Sequence, residues 1–341
     1  MHERRKRDHL RICLDSSPQS VLTTGFEKYR FVHQALPEID LEAVDLYCQL
    51  LGKSLRAPLV VSCMTGGTDE AEHVNLSLAE AAQELGLAMG VGSQRTALEN
   101  PSLAYTYQVR KAAPDILLLA NLGAVQLNYG YDSEDCQRAV EMIQADALVL
   151  HLNPLQECLQ SGGNTNFVSL LKRIEDVCHH LLVPVVVKEV GWGISARVAQ
   201  MLRDAGVAAI DVAGAGGTSW SAVEQLRGED QKSDSVADVF GEWGIPTAES
   251  IAMVRTAAPD VTLIGSGGIR SGIDVAKAIA LGAHAAGMAA PLLAPAAIGV
   301  GAVVSTLQET VEELRIAMFC IGAGDLDSLR DTPLLLRTDG R

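Results

Sequence analysis

Two glycine clusters, GAGGTS (214–219) and GSGGIR (265–270), each follow an apolar run and open onto a helical pattern. Bare backbone amides at such a turn can approach a phosphate, and the N-terminus of the following helix favours the anion. Neither has the GxGxxG spacing of a dinucleotide fingerprint, and tight βα turns alone would also call for these glycines. Arg270 ends the second cluster with a guanidinium fork suited to phosphate. Lys188 stands inside VVVKEVG, where a buried ammonium is costly unless it meets an anion. A lysine solvated at the strand end and a Schiff-base lysine are the other readings. HLNPLQE (151–157) gathers His151, Asn153, Gln156 and Glu157. It has too few His or Cys for zinc, whereas Glu157 could share Mg²⁺ with phosphate oxygens and water. A first-turn helix charge and a satisfied core histidine explain the same residues equally well. Arg4, Arg5, Lys6 and Arg7 form a basic terminus, either a disordered tail or an arm that closes over a polyphosphate.

These residues need a frame that brings them together. Eight short apolar runs supply one: 58–64, 89–92, 116–123, 147–153, 184–191, 209–214, 261–268 and 283–291. Helical patterns separate them, such as FVSLLKRIEDVCHHLL and ARVAQMLRDAG. Parallel strands need such crossovers, and a count of eight favours a closed (β/α)8 TIM barrel, an α/β fold, over an open sheet. The barrel is expected over 58–320, after an arm and extension (1–57) and before a C-terminal extension (321–341). In a barrel of this kind the site lies at the strand C-termini, where the polar residues concentrate. One connection is anomalously long: 218–244, after strand 6, reads as either a lid or a structureless insertion.

The chain has 341 residues and a net charge of −15, from 27 Lys+Arg against 42 Asp+Glu. That charge, with only 4% aromatics, excludes a general nucleic-acid or anionic-membrane binder. Seven cysteines without a CxxC pair read as reduced thiols, and no apolar stretch follows the first charges, so a cytoplasmic protein without a signal peptide is expected. Residues 285–307 are uncharged, but Pro291 and Pro295 interrupt them, which favours a strand and a buried helix over a membrane span.

The motifs together resemble the type 2, flavin-dependent isopentenyl-diphosphate isomerases over essentially the whole chain. RKRDH (5–9), MTGG (64–67), GVGSQR (90–95), ANLG (120–123), HLNPLQE, VKEVGWG (187–193), GAGGTSW (214–220), GSGGIR and DVAKAIALGA (274–283) carry the resemblance. It implies a barrel enzyme holding FMN, reduced by NADPH and requiring Mg²⁺, that interconverts isopentenyl and dimethylallyl diphosphate. By the family pattern Cys63, Met64, Thr65, Ser93 and Asn121 line the flavin, and Lys188 sits beside its electron-rich edge. Thr218, Gly267, Gly268, Arg270, Ala289 and Ala290 hold its phosphate end. Arg5, Lys6, His9, Ser93, Gln94, Arg95, His151 and Asn153 are implied diphosphate contacts. Gln156 falls on the substrate side and Glu157 on the metal, with Gln156, Lys188 and His151 as the catalytic group. The cofactor is expected to take part in proton transfer while Gln156 orients the alkene. A homo-oligomer, tetramer or octamer, is implied. A 2-hydroxy-acid oxidase on the same fold would need a His/Arg pair near strands 7 and 8, and GSGGIR has no adjacent His. A non-catalytic phosphate-binding barrel is the remaining alternative.

Overall fold

The computed structural model describes residues 2–16, 18–228 and 236–338. Its centre is a closed barrel of eight parallel strands: β1 (Leu59–Val61), β2 (Ala88–Gly90), β3 (Leu118–Gly123), β4 (Ala147–Leu152), β5 (Val185–Glu189), β6 (Ala209–Asp211), β7 (Thr262–Ser266) and β8 (Ala285–Met288). β8 pairs back onto β1, so the ring has no edge. Seven strands fall within the apolar runs and β2 begins one residue before its run, at Ala88; the (β/α)8 TIM barrel is the fold.

Strand periodicity divides these runs between two cores. Val60, Ala88, Leu119, Val149, Val186, Ala209, Ile264 and Ala285 pack together as the barrel interior. Their neighbours, such as Val61, Met89, Leu118, Leu148 and Val187, belong to the larger core that packs against the helices. Leu50 and Leu55, from the hairpin Cys48–Leu50 and Lys53–Leu55, join the interior cluster just before β1 begins. The apolar filling thus occupies the lower barrel. Two residues further along, the same inward direction recurs, and on six of the eight strands the sequence turns polar there (Ser62, Asn121, His151, Lys188, Asp211 and Ser266), with Gly90 and Gly287 at the other two.

The helix His2–Asp15 lies against the helix Trp220–Arg227 over the strand C-termini. Farther along the arm, Ser20 donates its amide to Gly217 O (2.8 Å) and Ser219 donates to Pro18 O (3.1 Å). The basic terminus is therefore a folded arm on the chain's own barrel. Tyr29–Phe31 pairs antiparallel with Leu335–Arg337, joining the two extensions. Within the anomalous segment, Ser219 caps the Trp220–Arg227 helix through its hydroxyl. The stretch 229–235 of that expected lid lies outside the described residues. Residues 285–307 form β8, the helix Ala290–Ile298 and the start of the helix Val300–Phe319. Among the described residues no helix is long and apolar enough to cross a membrane.

At the opposite, N-terminal end of the barrel, His284 Nδ1 accepts the Leu263 amide at 2.9 Å and lies 3.1 Å from Arg255 Nη2. Burial, then the charges of Arg255 and Arg330, hold its pKa down at about 4. An unfolded histidine titrates near ~6.5, so below that pH the unfolded chain takes a proton the folded chain refuses. Stability is complete above that value and falls as pH drops toward 4. The variant His284→Asn keeps an acceptor without a titrating ring, and urea unfolding between pH 7 and 4.5 should show a shallower acid loss. An unchanged slope would remove His284 from the acid response.

Candidate active site

The polar layer floors a cavity of about 300 Å³ at the strand C-termini. Register explains its composition: Lys188 on β5 pairs with His151 on β4 and with Asp211 on β6, so three inward side chains are neighbours on consecutive strands. Lys188 Nζ donates to its neighbour's carbonyl, Glu189 O, at 2.9 Å and lies 3.6 Å from Asp211 Oδ2. Asp211 in turn accepts the Ser266 hydroxyl. The anion that a buried Lys188 needs is therefore built into the next strand, leaving the ammonium at the cavity wall. His151 Nδ1 lies 2.9 Å from Asn121 Oδ1. Burial, reinforced by Lys188, Lys6 and Arg5, pushes its pKa down to about 4, so the imidazole is neutral at neutral pH. Glu189, on the opposite side of β5, accepts the amides of Val190, Gly191 and Trp192 and fixes the loop that continues the wall.

The HLNPLQE segment turns from β4 into the short helix Pro154–Leu159. Asn153 Nδ2 donates to Gln156 Oε1 (3.0 Å) and to Glu157 Oε1 (3.2 Å). Gln156 Nε2 donates to Glu224 Oε1 at 3.1 Å. The amide of Gln156 is thereby specified at both ends and cannot turn over without losing two bonds. Glu157 Oε2 accepts the Asn164 amide and Gln160 Nε2.

Glu224, like Asp211, is a residue that sequence reasoning missed. It is buried on the Trp220–Arg227 helix, paired with Arg227, and 2.9 Å from His9 Nε2. Burial alone would raise its pKa, but His9, Gln156 and Arg227 outweigh that and hold it below the ordinary value. It is an ionised carboxylate inside the site. The available signal was Ser219, a good helix N-cap, directly before WSAVEQLR in the segment read as a lid or a structureless insertion.

The arm adds positive charge. Arg5, Lys6 and His9 all line the cavity. His9 packs edge-on to Trp220, with ring centres 5.2 Å apart. Burial disfavours the charge on Arg5, while Glu157 and Glu224 support it. Burial and then Arg5 bring Lys6 down to about 7.

The two glycine clusters meet backbone to backbone. Gly267 has φ +104°, and a Cβ there would stand 2.2 Å from Gly214 O; one on Gly268 would stand 2.5 Å from Gly216 O. Close packing of two loops thus accounts for both residues, and bare backbone at the cavity is its consequence. Arg270 joins the loops by donating to Gly268 O (3.0 Å) and Gly216 O (3.1 Å), and it also reaches Gln19 of the arm. Cys63, Met64, Thr65, Ser93, Thr218, Ala289 and Ala290 complete the lining with Arg95, which donates to Asn164 Oδ1. Burial pushes the Cys63 thiol up to about 11, so it is a neutral wall group.

Gln94 departs from the expectation of a diphosphate contact. It is fully buried behind the wall, donating to Ala139 O (2.8 Å) and accepting the Asn121 amide (2.9 Å). Ser93 and Arg95 face the cavity on either side of it. Its carboxamide holds the β3 exit in place.

Three buried polar atoms of this region, Ser62 Oγ, Gln126 Oε1 and Asn153 Oδ1, have no hydrogen-bond partner among the described residues. They belong to residues of the cavity lining, beside the bare glycine backbone and Lys188. Unspent polar atoms lining the mouth fit a polar, ring-bearing cofactor with a phosphate end. Among the described residues no group of three or more His, Cys, Asp and Glu could hold a metal alone. The single carboxylate of Glu157 fits Mg²⁺ completed by substrate oxygens and water.

Residues 157–336 match the family model of FMN-dependent dehydrogenases. The isopentenyl-diphosphate delta-isomerase of a Synechocystis species is 55% identical over 338 residues, covering 99% of this chain and 97% of that protein. The protein of the same name from Stutzerimonas stutzeri is 54% identical, covering 97% and 96%. The solved structure of mandelate oxidase with benzoyl-formic acid superposes with a TM-score of 0.66 at 22% identity, covering 98% of this chain and 96% of that one. At that identity the likeness is one of fold.

Proposed function

The chain belongs to the flavin-dependent isopentenyl-diphosphate delta-isomerases, and from that premise we propose how its own residues serve the reaction. The enzyme interconverts isopentenyl and dimethylallyl diphosphate, a 1,3 shift of a double bond, with FMN as cofactor. One proton must reach the terminal alkene carbon and another must leave the allylic position. FMN, bound and reduced, supplies an electron-rich ring able to exchange protons with the allylic system.

The chain holds that ring and shields it. Cys63, Met64, Thr65, Ser93 and Asn121 would lie along it, and Thr218, Gly267, Gly268, Ala289 and Ala290 would receive its phosphate end. Arg270 supports that end by clamping its two loops together. Lys188 would set a cation beside the ring and stabilise negative charge there, a preorganised electrostatic effect. Arg5, Lys6, His9, Arg95, His151 and Asn153 bind the diphosphate; neutral His151 serves as a hydrogen-bonding group. Glu157 would hold Mg²⁺, which would supply positive charge to the diphosphate.

The observation that carries this reading is the amide of Gln156, held between Asn153 and the ionised Glu224. A fixed amide orients the alkene, and a buried carboxylate behind it favours positive charge on the carbon skeleton. NADPH is the reductant in this proposal, and the working form is a cytoplasmic homo-oligomer, tetramer or octamer.

Anaerobic protein with reduced FMN, Mg²⁺ and isopentenyl diphosphate should form dimethylallyl diphosphate. Oxidised FMN or an excess of chelator should stop it. No product under the complete conditions, or oxidation of a 2-hydroxy acid instead, would overturn the assignment. The His/Arg pair of such an oxidase lacks its histidine here, since His284, next to β8, lies at the far end of the barrel.

A further inference from the structure

Tyr107 lies outside the cavity lining, in the turn Pro101–Tyr107 after the β2 exit, and is completely buried. Its ring occupies the space where a Cβ on Gly66 would stand, 1.9 Å from Tyr107 Cε1, which accounts for the first glycine of MTGG. Lys6 Nζ sits 5.0 Å from the centre of that ring, within cation–π range. The same ammonium donates to Tyr107 Oη and to Ser93 O, while Tyr107 Oη donates to Ser93 O at 2.8 Å. A buried tyrosine hydroxyl needs a partner, and this one uses both of its capacities, receiving from the arm and giving to the barrel. The second glycine belongs to the same arrangement: a Cβ on Gly67 would meet Tyr107 Oη at 3.0 Å and the Lys6 stem at 3.1 Å.

We propose that Tyr107 is the latch of the N-terminal arm: its hydroxyl and ring seat Lys6 at the barrel mouth, so it acts as a positioning residue for diphosphate binding without touching the substrate. The physical basis is the cost of placing an ammonium in a buried site. Arg5 is its immediate chain neighbour and repels it, so a neutral acceptor and a π face are the means left to hold Lys6 inward. Without the hydroxyl, Lys6 loses one of its two acceptors, and its long side chain can turn out to water. The Lys6 cluster then detaches from Ser93, a residue assigned to both cofactor and diphosphate. This part of the inference rests on the diphosphate reading of the arm; the latch itself rests on the contacts alone.

Tyr107→Phe keeps the ring, the Gly66 packing and the cation–π face while removing only the hydroxyl. Two readouts separate the latch from the substrate reading. Hydrogen exchange of the arm peptide 2–15 in FMN-loaded protein without substrate should accelerate about tenfold, with the thermal midpoint and FMN affinity unchanged. KM for isopentenyl diphosphate should rise about tenfold with kcat within twofold, and Tyr107→Phe should add nothing further in a Lys6→Met background. Unchanged arm exchange would overturn the latch. So would an equal loss on KM, kcat and thermal midpoint, or a full Tyr107→Phe effect in the Lys6→Met background. Faster exchange with unchanged KM would leave the latch standing and overturn Lys6 as a diphosphate contact.

Discussion

Exchanging Glu224 for glutamine should lower kcat by about two to three orders of magnitude while FMN still binds and the fold persists. The substitution keeps shape and removes charge. Glu224 accepts Gln156 Nε2 and pairs with Arg227, and His9 Nε2 lies 2.9 Å away, so one carboxylate organises groups from three segments of the chain. A glutamine there presents an amide that must choose which of them to satisfy. If its own N–H₂ faces Gln156, the latter turns over and loses Asn153 as well. Gln156→Asn shortens the side chain by one methylene and should slow turnover by about two orders of magnitude through the same misorientation. The check is single-turnover kinetics with pre-reduced FMN, beside the oxidised flavin spectrum as a measure of binding. Turnover at the parent rate in Glu224→Gln would remove this carboxylate from the mechanism.

The other large effect is expected at Lys188. Lys188→Met removes the cation at the cavity wall, proposed above to face the flavin, and should cost two to three orders of magnitude in kcat, with a lower flavin reduction potential. It also strands Asp211, whose carboxylate lies 3.6 Å from the ammonium at a buried position. Removing one member of a buried pair typically costs about 3–5 kcal/mol, so the single variant should also melt earlier. Adding Asp211→Asn relieves the stranded charge: stability should largely return, while activity and potential should not. Recovery of both would mean that Lys188 acts through the fold alone. Lys188→Arg keeps the charge but alters its position, and an intermediate rate is expected.

Much of the site was legible because barrel strands alternate. Once β4 to β7 are placed, the residue two beyond each interior apolar position must face the mouth, and His151, Lys188, Asp211 and Ser266 stand there. Asp211 was readable on that rule, yet AIDVAG looks apolar enough to hide it. Gln94 was assigned by resemblance; it lies past the strand, in a turn that directs its side chain behind the wall, away from the cavity lining. Three neighbours, Ser93, Gln94 and Arg95, share polarity but not direction. Glu224 failed for a different reason: helix Trp220–Arg227 sits in a segment whose length and polarity signalled an insertion. Arg270 and the glycines were read as a phosphate cradle by chemistry, and their contacts add a second task, the close joining of two loops.

Local information was enough for the eight βα units and for the end of the barrel where the polar residues gather; many of the residues assigned to the mouth came from the resemblance of the motifs to a known family. Apolar period, turn glycines and helix caps act over a few residues, and each is written into the chain where it acts. The partnerships were settled only when distant segments came together. Lys6 meets Tyr107 across 101 positions and Gln156 meets Glu224 across 68, and the two glycine clusters interlock. No local preference encodes such pairs, because they exist only after closure of the ring sets which exits are neighbours. The chain's charge of −15 follows the same logic. Composition describes a strongly acidic protein; folding gathers Arg5, Lys6, Arg95 and Lys188 at one mouth, where an anionic substrate can be met.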